Sequence, residues 1–496
     1  MAGNRAARQT QIENWKQELI DNNTLTVIGG DTLAQYVLVG AAGLGVGELF
    51  VVDNSRVDKK VKGQFLHLDA KEGRSGARAL EEIVSAINTD IDVFGVHTQL
   101  VHEQSGAYLP KRGVLLDATN DPRSKKVALE YAVEHGMKLI LTSTNHARGE
   151  ILVFNPETDD PLDPKYLQLD FKGQNQGAIT SGVMGGIACE IYRKLCFQLD
   201  EKDVVPARVD YAFIKDEKLA DLDDASRIKA LKSKKVLEAG LGALGVYITL
   251  GLALENVGAI HGVDYDDVEE TNLNRQWFYY DSVGDFKGDG FLKVVGKINP
   301  EVVLKYIFGK IGHELSPEDR KAGMTLVDPE YIAKRAYDVI AGGVDSERVR
   351  SVLNEFAIVT SIPYVDGGTS FKNGQAVAYV PQKTQCLECA IKIDEKADEH
   401  DQRAGCLLAH ESSVVMSNMV IGSMVAGKIL KILAPEFYGD VEGGLEIYDA
   451  RSETVMYALA SDVACNCHET RELRYEPDAS KKGGQKWYQK KIKLFS

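Results

Sequence analysis

The sequence predicts an α/β protein made of two doubly wound sheets, one in each half of the chain. Three observations predict it. First, a unit of apolar strand, glycine turn, apolar-periodic helix and second strand occurs twice: LTVIGGDTLAQYVLVGAAGLGVGELFVVDNSRV from Leu25, and KKVLEAGLGALGVYITLGLALENVGAIHGVDYDDV from Lys234. Second, the aspartates ending the second strands, Asp53 and Asp264, stand 211 positions apart (264 minus 53), and the same offset takes Gly29 to Gly240. Third, the order of later segments repeats. SAINTDIDV from Ser85 answers GKINPEVVL from Gly296, and VLLDATNDPRSKKVALEYA answers YDVIAGGVDSERVRSVLNEFA. Each half then closes on a small-residue helix, SGVMGGIACEIYRKLCFQL and SNMVIGSMVAGKILKILAP. Strands alternating with helices in this way form a parallel sheet with helices on both faces.

In chain order, residues 1–199 form the first domain. Residues 200–231, with the polar stretch FIKDEKLADLDDASRIKALKSKK, break the apolar pattern and read as a linker. Residues 232–470 form the second domain, and 471–496 read as a polar, basic tail that is mobile or partner-binding. A chain of 496 residues is too long for one ordinary core. Its 58 Lys and Arg against 73 Asp and Glu give a net charge of −15, which excludes a general nucleic-acid binder, whose footprint is basic. No run of about 18 apolar residues stands out, so no membrane span is expected. The N-terminal MAGNRAARQTQIENWKQELI lacks the apolar core of a secretory leader. The chain is therefore read as cytoplasmic, with its seven cysteines as thiols or metal ligands rather than disulfides.

The second half carries a nucleotide site. Gly240, Gly242 and Gly245 form a GxGxxG turn from strand into helix, where bare backbone and free N–H groups can meet a phosphate. Asp264, closing the next strand in the run Asp264-Tyr265-Asp266, can bind ribose hydroxyls. So far a nicotinamide dehydrogenase would fit equally well. The following segment separates the two. Asn272, Arg275 and Gln276 in TNLNRQ, with Lys287 in VGDFK, put an amide and two cations where the outer phosphates of a triphosphate lie. Asp345, in GGVDSERVR, follows another strand end and can hold Mg²⁺ beside the α-phosphate.

At these residues the sequence resembles the ThiF/MoeB and ubiquitin-activating superfamily, over most of 232–470. The resemblance implies two Rossmann-like adenylation domains forming an internal pseudo-dimer. It implies ribose binding by Asp264, with Asp266 in the same D-x-D. Asn272, Arg275 and Lys287 would bind phosphates with Gln276 beside them, and Asp345 would bind magnesium. The implied reaction joins ATP to the C-terminal Gly carboxylate of a ubiquitin-like protein as an acyl adenylate, through positioning and charge neutralisation alone. Arg8, in the N-terminal Arg8-Gln9, stands where the family has an arginine that reaches into the partner's ATP site; Arg5 is the alternative.

The first half reads as disabled. Asp31 replaces Gly242, VKGQF replaces the NLNRQ run, and Gly76 falls at the place of Lys287. Classical ubiquitin-activating enzymes likewise pair an inactive adenylation half with an active one.

Cys386 and Cys389, with Cys465 and Cys467, are two close pairs that suit a tetrahedral Cys₄ Zn²⁺ clip, as in the resembling family; here the second pair is the tighter CxC, and His468 could replace one thiol. Cys406 follows the charged stretch DEKADEHDQRAG, with Arg403 and His410 close by, and a cysteine opening a helix has a favoured thiolate. Its placement resembles the compact activating enzyme of the ubiquitin-fold modifier. That implies attack on the adenylate, a thioester, and transfer to an E2-like conjugating enzyme. Cys189 and Cys196 lie on an apolar helix and read as core. Two alternatives stay open: a sulfur-carrier adenylyltransferase that stops short of the thioester, and a non-catalytic regulatory scaffold. A homodimer of whole chains is also left open.

Overall fold

Thr24–Ile28 is an unbroken run of buried apolar and β-branched residues, as in a strand covered on both faces. It is the first of sixteen strands among the described residues of the computed structural model. That structure describes residues 4–459 apart from 62, 99–107, 168–170, 172–174, 198–203, 217–218, 220–223, 392–413 and 442–443. The first sheet holds β1 (Thr24–Ile28), β2 (Glu48–Val52), β3 (Asp92–Val96), β4 (Val114–Asp117), β5 (Lys138–Thr144), β6 (Arg148–Phe154) and β7 (Arg208–Ala212). Their order is β3-β2-β1-β4-β5-β6-β7, parallel through β5 and antiparallel beyond it.

The second sheet holds β8 (Lys235–Ala239), β9 (Ala259–Asp264), β10 (Val303–Ile311), β11 (Thr325–Val327), β12 (Val339–Gly342), β13 (Tyr364–Thr369), β14 (Asn373–Tyr379), β15 (Gly444–Asp449) and β16 (Thr454–Leu459). Its order is β11-β10-β9-β8-β12-β13-β14-β15-β16, again parallel through β13 and antiparallel beyond it. The winding reverses beside the strand that feeds each glycine turn, between β1 and β4 and between β8 and β12. In open α/β sheets ligands bind at such a switch point, outside the carboxyl ends of the strands.

The stretch expected to be a linker does more than connect. Its residues Arg208–Ala212 are β7, the antiparallel edge strand of the first sheet. Paired backbone is not apparent in a polar sequence, because an edge strand can expose alternate side chains to water.

Four apolar helices fill the space between the sheets: α1 (Thr32–Leu44) and α4 (Ala178–Cys196) from the first half, α5 (Ala243–Leu254) and α8 (Val415–Leu433) from the second. The numbering leaves α2 (Gly76–Ile87), α3 (Pro122–His135), α6 (Lys287–Ile298) and α7 (Glu347–Thr360) to the outer faces and the site. The small residues of α4 and α8 are explained where the two helices meet. A Cβ on Gly182 would lie 2.0 Å from Ser423 Oγ, and one on Gly186 would lie 2.9 Å from the Met416 carbonyl oxygen. By length and hydropathy α8 is also sufficient to cross a bilayer, which the reading of the sequence did not anticipate; 94% of its apolar window is buried inside the molecule.

Buried charges join the halves as well. Lys194 Nζ on α4 reaches Glu453 Oε1 at 2.6 Å in the turn between β15 and β16, and the Tyr448 hydroxyl donates to Glu453 Oε2 at 2.6 Å. Next to it Arg193 pairs with Glu190 and lies 5.1–5.8 Å from the ring centroids of Phe197, Phe371 and Trp15.

Candidate active site

The glycine turn is tightly built. Gly240 takes φ +85°, a conformation glycine adopts without penalty, and its N–H donates to the Val263 carbonyl at 2.9 Å. A Cβ on Gly245 would lie 2.3 Å from the Gly240 oxygen, so the helix starts directly on the turn. Gly242 is the N-cap of α5, and the nearest atom to a Cβ there is Gln276 Nε2 at 3.9 Å. The middle glycine therefore faces open space. Gln276 is buried, and its Oε1 finds no partner among the described residues.

Asp264 ends β9 and is buried. Its carboxylate accepts the N–H groups of Leu241 (2.7 Å), Tyr265 (2.8 Å) and Asp266 (2.9 Å), tying the glycine turn to the neighbouring strand. Burial pushes its pKa up, against the Lys287 cation and these N–H donors. Lys287 is the first residue of α6, and its ammonium rests on Asp266 at 2.7 Å. Asn272 lies in the short helix Glu270–Asn272, where its side chain accepts the Glu269 N–H at 3.0 Å.

Arg275 is the most telling residue. It is buried, and its guanidinium donates to the Thr271 carbonyl (3.0 Å) and to Asn274 Oδ1 (2.7 Å). Burial first, and the charge of Arg8 second, pull its pKa down to about 10, with Asp345 and Glu269 opposing. Arg8 comes from the N-terminus of the first half and pairs with Glu269 at 3.6 Å. Arg5 instead donates to the carbonyls of Ile87 (2.6 Å) and Leu273 (3.4 Å), bracing one half against the other. Arg8 and Asp345 thus both bear on the buried Arg275, while Lys287 pairs with Asp266 and bears on Asp264.

Asp345 is exposed in the loop from β12 into α7. It does not cap that helix: Ser346 does, accepting the Val349 N–H. The sequence reading missed what holds this loop. Arg350, one turn into α7, makes a two-pronged pair with the fully buried Asp366 at the middle of β13, its Nε donating to Oδ2 at 2.9 Å, and the Tyr364 hydroxyl donates to Asp366 Oδ1 at 2.7 Å. A signal was present: YVDGG places an aspartate in an apolar strand, as GVD does at Asp264.

The first half keeps the frame and loses the cations. Its α2 begins at Gly76, 211 positions before Lys287, where α6 begins. A Cβ at Gly76 would lie 2.5 Å from Asp53 Oδ2, and one at Gly30 would lie 2.7 Å from the same carboxylate. Asp31, the N-cap of α1, has its pKa raised by burial and then by Asp53. Asp31 therefore sets a second carboxylate, beside the Asp264 counterpart Asp53, where the second half has Gly242, and it opposes phosphate.

Of the cysteines, Cys386 is buried and Cys389 exposed around the start of the short helix Leu387–Ile391. Cys406, Cys465 and Cys467 lie outside the described residues, as does the tail. No group of three or more His, Cys, Asp or Glu able to hold a metal occurs among the described residues. Cys189 is buried and Cys196 half-buried on α4, and burial pushes the Cys196 thiol up to about 11, which suits core packing.

Comparison with known proteins agrees with this geometry. The chain is 29% identical over 172 residues to the NEDD8-activating enzyme E1 catalytic subunit of Schizosaccharomyces pombe, covering 34% of this chain and 35% of that one. It is 29% identical over 185 residues to the Saccharomyces cerevisiae protein of the same description, covering 36% of this chain and 56% of the other. It is 26% identical over 226 residues to the molybdopterin-synthase adenylyltransferase of Salmonella typhimurium, covering 45% of this chain and 81% of the relative. The chain thus spans about a third to a half of the first two relatives' length. The model of the ThiF family matches twice in tandem, over residues 4–214 and 215–468. Since that model covers both halves, this chain is a member of the ThiF family, two copies of one fold in tandem.

Proposed function

We propose that the second half adenylates the C-terminal Gly carboxylate of a ubiquitin-like protein with ATP, and that Cys406 then takes the acyl group as a thioester. The observation that carries the reading is the open glycine turn tied to Asp264, on which Lys287 acts, together with a buried Arg275 on which Arg8 and Asp345 act. The glycine turn and helix start receive one phosphate, Asp264 takes the ribose, and the three cations take the remaining charge. Asp345 suits Mg²⁺, because it is an exposed carboxylate oxygen donor relieved of helix capping by Ser346. Bound there, Mg²⁺ would neutralise charge on the pyrophosphate.

In the adenylation step a modifier carboxylate oxygen bonds to the α-phosphorus. The bond from that phosphorus to the β-bridging oxygen breaks, and its electron pair leaves with pyrophosphate. The Cys406 thiolate next attacks the acyl carbon and AMP departs with the ester electron pair. A conjugating enzyme's thiol then takes the acyl group by exchange. The two cysteine pairs, 386/389 and 465/467, would hold a structural Zn²⁺ through four thiolates. The first half contributes Arg8 and a packing surface.

The test is to incubate the full chain with Mg²⁺-ATP and a modifier ending in Gly, and run a non-reducing gel. A thiol-sensitive adduct lost in Cys406→Ala is expected. The match over 81% of the molybdopterin-synthase adenylyltransferase favours a second reading, adenylation without a thioester. Under that reading modifier-dependent pyrophosphate exchange persists and no adduct forms. Absence of both would sink the adenylation proposal. Arg8→Ala separately tests the inter-half contact. It is expected to slow exchange roughly tenfold, the loss of about 1.4 kcal/mol of charge stabilisation, with the melting temperature unchanged because the side chain is partly exposed. Exchange at the wild-type rate would show that Arg8 is a surface residue only.

A further inference from the structure

Glu238 is fully buried in β8, two residues before Gly240. Its side chain turns toward α5, where Thr249 Oγ1 donates to Oε2 at 2.5 Å. Its other oxygen, Oε1, is buried without a partner among the described residues. That oxygen lies against the first turn of α5: a Cβ on Gly245 would stand 3.1 Å from it and 2.3 Å from the Gly240 carbonyl oxygen. Gly245 is the third residue of a helix capped by Gly242, so the carboxyl sits behind the free N–H groups at the helix start. The flanking strands bring no ionisable partner, because Glu238 stands beside Gly262 of β9 and Ala341 of β12. The Tyr279 phenol, which donates to the Leu241 carbonyl at 2.5 Å, feels both Glu238 and Asp264. The first half has Val27 at the corresponding position (238 minus 211), so this carboxyl is particular to the half with the open glycine turn.

We propose that Glu238 is a positioning residue of the nucleotide site: a carboxyl kept neutral behind the glycine turn, which reserves the helix start for phosphate and couples nucleotide binding to its own protonation. The proposal rests on the nucleotide reading given above. A neutral carboxyl adds no charge behind the phosphate, and its hydroxyl can donate to a turn carbonyl. An ionised one places a negative charge on the same N–H groups and competes with the phosphate for them. Burial pushes the Glu238 pKa up to about 8. The group is therefore protonated below that pH and ionises above it, so nucleotide affinity falls as pH rises through 8. By reciprocity, bound phosphate raises the proton affinity of Glu238, and binding near pH 8 takes up protons.

The experiment is calorimetry of Mg²⁺-ATP binding to the full chain, at pH 8 in two buffers of different ionisation enthalpy, and across pH 7 to 9.5 in one series. Net proton uptake is expected, with affinity falling about three- to tenfold across the series, the size of a half- to one-unit coupling. Glu238→Gln should abolish the uptake and flatten the profile. Glu238→Val, which copies the first half, should do the same and serves if the glutamine variant misfolds. If wild type binds with no uptake, or if both variants keep its pH profile, the proposal is overturned while the nucleotide site stands. If wild type binds no ATP at any pH, the nucleotide reading fails and takes this proposal with it.

Discussion

Arg275→Ala is expected to lower modifier-dependent pyrophosphate exchange by about a hundred- to a thousandfold, the range found when one preorganised donor is taken from a developing anion. The argument is electrostatic. Arg275 is buried beside a second arginine, and burial together with Arg8 pulls its pKa down to about 10, so it is still charged at neutral pH. A charge held in that setting is not there for stability. The folded pKa is lowered, which means the charged form is less favourable folded than unfolded. The variant should therefore melt at the wild-type temperature or slightly above it. Exchange within about threefold of wild type, or a clear fall in melting temperature, would show Arg275 to be structural instead.

Arg350→Ala should act in the opposite sense, on stability first. Its removal leaves the Asp366 carboxylate, fully buried, with the Tyr364 hydroxyl as its remaining side-chain donor. Breaking one partner of a buried pair costs about 3–5 kcal/mol, measurable as a lower urea midpoint. Exchange should fall too, because α7 and the Asp345 loop are anchored through this pair. Replacing both residues by apolar ones, Arg350→Met with Asp366→Leu, should recover most of the stability, since no charge is then stranded. An unchanged midpoint in Arg350→Ala would mean that the pair anchors nothing.

The parts of the molecule that follow a local rule were legible in the sequence. The repeat located both sheets, and the glycine turn and Asp264 meet at the second switch point, because spacing along a strand–turn–helix unit fixes where side chains emerge. Arg8 is separated from Arg275 by most of the first domain, the linker and the start of the second domain, and it was placed by likeness to a family rather than by any pattern in the chain. What was not legible depends on contacts between distant segments. β7 was taken for linker because its partner β6 lies more than fifty positions earlier. The Arg350–Asp366 pair joins a helix to the middle of a strand, and although Asp366 stands out in its apolar strand, nothing local names Arg350 as its partner. Nothing in the sequence marks Glu238, whose distinction is an unpartnered oxygen beneath Gly245.

The crossing of α4 over α8 at Gly182 and Gly186 has a consequence for how the molecule behaves in dilute solution. An enzyme assembled from two separate copies falls apart below its dissociation constant, and its copies remain interchangeable. Here the pairing is covalent and shares one core, so occupancy of the shared surface does not depend on concentration. Only one of the two copies needs to keep its chemistry, and the other is free to change at every position except those that press against its neighbour. In that arrangement the proposed adenylation would have one turnover site per chain.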